Sequence, residues 1–207
     1  MIPTAQSEIA TLSPLWPMLY EIFEAATERA CRFFEADSAP INRDLFPELV
    51  RYFVSRELRD KEFILDGFVK ESIIKNGLSI IYRDRRIRMW KTLDDELPPP
   101  GRSRVKQGFL GQQLSFFPAS NGIIKTVKHN LAVLWNIDTN YRLDHLQLAY
   151  PESVEEMWVP AKAHWTTQIP HPVSGSVAGK PVIPEDNLEL ELELIESDSP
   201  SESERTE

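Results

Sequence analysis

The apolar residues of this chain change period once along its length, and that change limits the folds open to it. Leu19, Ile22, Phe23, Ala26, Ala30 and Phe33 recur at three- and four-residue spacing. This puts them on one face of a helix. Ser13-Pro14 supplies a capping hydroxyl followed by proline, so the helix is expected over 15–36. Ser38-Ala39-Pro40 ends it. A second stripe, Leu49, Val50, Phe53, Val54 and Leu58, predicts a helix over 47–61 with Asp44 as its cap. Residues 62–77 show neither period, and Asn76-Gly77 closes them with a turn signal.

Beyond that turn the pattern is that of strands. Residues 78–83 and 86–93 read as a β-hairpin around Asp84-Arg85. Pro98-Pro99-Pro100-Gly101 is a stiff connector, and Ser103 is placed to cap a short helix over 104–110. The run Leu131–Ile137 is almost wholly apolar and reads as a central strand, turned by Asp138-Thr139-Asn140 into Leu143–Tyr150. Met157–Thr167 reads as a third strand, at an edge because Pro160 interrupts it. Helices first and strands afterwards predict an α+β fold: two N-terminal helices packed on a mostly antiparallel sheet of about five strands.

Charge divides the chain differently. The net charge is −9 over 207 residues. Glu185–Glu207 holds ten acidic residues and one basic residue, Arg205, which leaves residues 1–184 with 22 of each sign. The expected organisation is a globular domain over 1–172, a small-residue linker over 173–184 and an acidic tail over 185–207. The tail reads as mostly disordered, with a strand-capable Leu–Glu alternation at 188–194. With 42% apolar residues, five Trp and ten Phe, the body has ample core material. Cys31 is the sole cysteine, the N-terminus lacks the basic-then-apolar pattern of a leader, and no stretch has the length of a membrane span. Together these give the expectation of a cytoplasmic protein.

Catalytic and cofactor motifs are not found in recognisable form. Gly175–Lys180 has one residue too few for a phosphate loop, and Pro181 stands where a hydroxyl would bind metal. Ser72/Lys75 and Ser103/Lys106 both match a serine–lysine spacing, which shows how readily that spacing arises. His129, His145, His164 and His171 lack the close pairing of zinc ligands, so neither metal nor cofactor is expected. Asp138 and Asp144 flank a turn and, with His145, are the residues from which an enzyme site distant in sequence would be assembled.

Two features point to partners. Arg83, Arg85, Arg86, Arg88 and Lys91 cluster in the hairpin with Trp90 among them, and Arg102, Arg104 and Lys106 follow. A β-ribbon of this kind holds phosphates and stacks a base, so a nucleic-acid interface is one expectation. It requires Arg86 and Arg88 to share one basic surface with Arg83. The other feature is Gln113-Leu114-Ser115-Phe116-Phe117, set between Gly111 and Pro118. It resembles the pentapeptide by which many bacterial DNA-processing proteins dock on the sliding clamp, with Phe116 where leucine is usual. The resemblance implies a protein partner, with Gln113 fixing register and Leu114, Phe116 and Phe117 entering an apolar groove. The leading expectation is thus a non-enzymatic interaction or regulatory protein.

Overall fold

Thr4 starts the fold. Its hydroxyl accepts from the Ser7 amide at 3.3 Å and caps a short helix, α1 (Ala5–Thr11), which has too few apolar residues to show in the periodicity. A computed structural model describes residues 2–36, 38–60, 68–70, 78–92, 94–112 and 127–172. The pentapeptide 113–117, Ser72, the glycine-rich 175–180 stretch, the linker and the acidic tail lie outside those residues.

Ser13 and Pro14 do not cap the long helix. They form a single 3-10 turn, Ser13–Leu15, that leads into α2 (Trp16–Ala36). The stripe that α2 buries runs from Trp16 through Leu19, Ile22, Phe23, Ala26 and Ala30 to Phe34, whereas Phe33 is 46% exposed. Helix α3 (Leu45–Asp60) is capped by Asn42 rather than Asp44, because the Asn42 side chain accepts from the Asp44 and Leu45 amides at 2.9 and 3.1 Å. An Arg29–Glu57 ion pair joins α2 to α3.

The strands are β1 (Phe68–Lys70), β2 (Leu78–Tyr82), β3 (Arg85–Lys91), β4 (His129–Ile137), β5 (Leu143–Ser153) and β6 (Lys162–Gln168). They form one six-stranded sheet in chain order. Every pairing is antiparallel except β3 with β4, which run parallel from Arg85↔His129 to Lys91↔Trp135. The architecture is α+β with a mostly antiparallel sheet, one strand larger than the periodicity suggested. Residues 68–70 supply the extra strand from the segment that shows no period.

Three local readings change. The β2–β3 turn is Arg83-Asp84, one residue earlier than the sequence suggested, with Arg83 in the left-handed region at φ 54°. The third strand begins at Lys162. Met157–Val159 turn instead, because the Gly101 amide takes the Met157 carbonyl at 2.7 Å and Pro160 blocks the ladder. Sequence-adjacent strands do not all meet through short turns, since the parallel pairing requires the whole 92–128 connection as a crossover.

All the N-terminal helices lie on one face of the sheet. Leu19, Phe23, Val50 and Val54 pack there with Ile80, Ile87, Leu131, Val133, Trp135 and Leu148 in a continuous core. Tyr20 closes it by donating to the Ile169 carbonyl at 2.8 Å. The opposite face is covered by α4 (Arg104–Leu110), capped by Ser103 as expected. Ala132 and Ala149 stand opposite each other in the ladder, and these small residues leave room for Phe109 and Leu110 of α4.

Candidate functional site

Alternation along β3 separates the basic residues of the hairpin. Ile87 and Met89 face the helices, so Arg85 and Lys91 point that way, while Arg86, Arg88 and Trp90 point to the other face. Arg85 meets Glu8 of α1 in a two-pronged pair, with Nε–Oε2 at 2.9 Å and Nη2–Oε1 at 2.7 Å. Glu8 is 1% exposed. It is an acid in a helix that gave no sequence signal, so the commitment of Arg85 could not be read from the hairpin alone.

Arg86 is buried at 5% exposure, and the Arg88 guanidinium lies 4.9 Å from the centre of the Phe109 ring. Trp90 packs edge-on against Phe109, with the Lys106 ammonium 5.8 Å from its ring centre. Burial pushes the Lys106 pKa down, with the Arg88 cation adding to the effect. Burial lowers that of Lys91 too, and Asp44 opposes the shift. Arg83 alone of the hairpin cations is exposed, in the turn. Two faces and a buried guanidinium therefore separate residues that a single basic surface would have to combine.

Asp144 and His145 are brought together, and Asp138 is not. His145 sits between two carboxylates, with Nδ1 2.8 Å from Asp144 and Nε2 2.8 Å from Asp95. Burial alone would lower the His145 pKa, but the hydrogen bonds to Asp95 and Asp144 outweigh it and raise the value. Asp95 reaches it from the connector after β3, with φ 58°. Asp138 is occupied in its turn, where it accepts from the Asn140 and Arg142 amides at 2.8 Å each. Those amide bonds, Arg142 foremost, hold its carboxyl below the usual range despite some desolvation. The trio thus reduces to a histidine clasp between β5 and the connector. Among the described residues, no three His, Cys, Asp or Glu side chains converge to hold a metal ion.

The surface that offers most to a partner lies around α4. Gln112 ends that segment in the left-handed region at φ 55°. Its amide donates to the carbonyls of Asn130 and Pro151 at 2.9 and 3.0 Å, and its side-chain oxygen accepts from the Asn130 amide at 3.1 Å. The end of α4 is thereby clipped to β4 and β5. Beside it an open groove of about 680 Å³ runs between α4 and the stretch after β5, lined by Arg104, Gln107, Gly108, Glu152, Val154 and Met157 among others. Met157, Trp158 and Val159 stand out from its end at 47, 67 and 48% exposure. Sequence reading had assigned these three to a strand. The proline after them was the signal that they are a turn.

No protein-family model, curated protein or solved structure matches the chain.

Proposed function

We propose that this is a non-enzymatic cytoplasmic interaction protein, recruited to a bacterial DNA sliding clamp through Gln113, Leu114, Phe116 and Phe117. The supporting observation is the Gln112 clip. Its three hydrogen bonds to β4 and β5 hold the residue that directly precedes the pentapeptide in the sequence. A recognition segment anchored at its root loses less freedom on docking than one on a free tail. The histidine and aspartates, by contrast, are spent on structural contacts, His145 in its clasp and Asp138 in its turn. The nucleic-acid reading draws less support, since Arg85 is held by Glu8 and Arg86 is buried.

Titration of the full chain against purified sliding clamp tests the reading. Binding is expected to weaken at least roughly tenfold, about 1.4 kcal/mol, in Gln113→Ala and in the double variant Phe116→Ala/Phe117→Ala. Absence of binding by the unaltered chain, or equal binding by all three, would refute it.

A further inference from the structure

The ridge at the end of the groove belongs to neither the pentapeptide nor the core. Trp158 is a large aromatic ring left 67% exposed. Isolated exposed apolar residues are ordinary, but three in a row on one turn form a patch. The turn is braced from below. The Gly101 amide donates to the Met157 carbonyl at 2.7 Å, and the Gln107 side chain donates to the Gly101 carbonyl at 2.7 Å. Gly101 has φ 59°, and a Cβ there would sit 3.9 Å from the Trp158 ring. Pro98-Pro99-Pro100 stiffens the chain leading into it. Trp158 is thus displayed on a fixed platform, and prepaid order is what makes an exposed aromatic an effective anchor.

Charge selects the occupant. The wall next to the ridge carries Glu152, Glu155 and Glu156. Lys162 takes Glu155 at 2.7 Å, whereas Glu152 and Glu156 make no ion pair with another described residue. Arg104 lies on the α4 side of the groove. A segment crossing from ridge to wall therefore meets an aromatic face and three carboxylates that share the one Lys162 cation, an arrangement that favours lysine or arginine beside apolar side chains. The chain's own tail is acidic like the wall and does not offer that chemistry.

We infer that the Met157–Val159 ridge and the Glu152–Glu156 wall form a second docking surface, whose occupant is a cationic, apolar-anchored segment of a partner protein. The surface is independent of clamp recruitment and gives the chain two places to hold.

A displayed library of random short peptides, selected on the full chain, tests this. Peptides with Lys or Arg next to Leu, Phe or Trp are expected to be enriched. The enriched peptide is expected to bind at least roughly tenfold more weakly to Trp158→Ala and to Glu152→Lys/Glu156→Lys, whose substitutions are exposed and leave the core untouched. Enrichment of acidic peptides, or of none, overturns the inference. Equal binding by both variants also overturns it, since the cations would then be held by the acidic tail. Self-association abolished by Trp158→Ala would make the occupant a second copy and likewise overturn it.

Discussion

The two faces of the sheet are built on different plans. The helix face is a continuous apolar core in which Phe23 lies 5.6 Å from Trp135 and Tyr20 ties α2 to β5 and β6. Its buried charge is a matched pair, Glu8 with Arg85. The α4 face has a small apolar centre, Leu97, Phe109, Leu110, Ala132, Leu134 and Ala149, surrounded by Arg86, Arg88, Asn130 and Gln147. One face is equipped to hold the fold, and the other is thin enough to present a groove. Under the proposed reading, stability and recognition are separated across the thickness of one sheet.

The largest test of that division is Phe23→Ala. It removes a fully buried ring from the thick face and is expected to lower unfolding free energy by about 4 kcal/mol in denaturant titration. Glu8→Gln comes next. It leaves the part-buried Arg85 guanidinium with Asp84 as its remaining ionic partner, and the expected loss is about 2 kcal/mol. Phe109→Ala, on the thin face, is expected to cost about 2 kcal/mol, because the groove beside it lets α4 settle into the space. A loss equal to that of Phe23→Ala would break the comparison. At the small end, Trp158→Ala is expected to change stability by less than about 0.5 kcal/mol while removing peptide binding.

A histidine on each face sharpens the contrast by pH. His129 faces the helices, where burial first and the Arg85 cation second push its pKa down. Its contribution to stability is complete above the ordinary histidine value of about 6.5 and is lost as pH falls through its lowered native value. His145, on the other face, is raised by Asp95 and Asp144 against the opposing effect of burial. Its contribution is complete below about 6.5 and fades as pH rises through its raised native value. Proton NMR of the ring C–H signals should show His145 titrating at higher pH than His129, and Asp95→Asn should lower the His145 midpoint. The reverse order would mean that the clasp does not form in solution.

Sequence period reveals the two long helices, the central strand and the α+β class, because each depends on contacts within one element. The α4 helix was legible from Ser103 alone, since a cap is local chemistry. What escaped reading depends on elements distant in sequence. Glu8 meets Arg85 across 77 positions, and Asp95 meets His145 across 50. Neither pairing leaves a trace in spacing. The division of the cationic hairpin is hidden from the sequence for a related reason. Counting charges along a strand ignores its alternation, which sends Arg85 and Arg86 to opposite faces. The Met157–Val159 turn resembles strand in composition because Trp and Val favour extended backbone; Pro160 hints at the bend, and the bond from Gly101 shows it.

The parallel seam between β3 and β4 divides the sheet into two three-strand meanders, β1–β3 and β4–β6. Each meander is assembled from neighbours in the chain and closes at small entropic cost. The seam closes only when the ends of the long crossover are brought together, so it carries the larger loop-closure cost. That crossover also carries α4 and Gln112 and runs on into the pentapeptide. Any ligand that binds the native crossover would stabilise the joint and be measurable as resistance to unfolding.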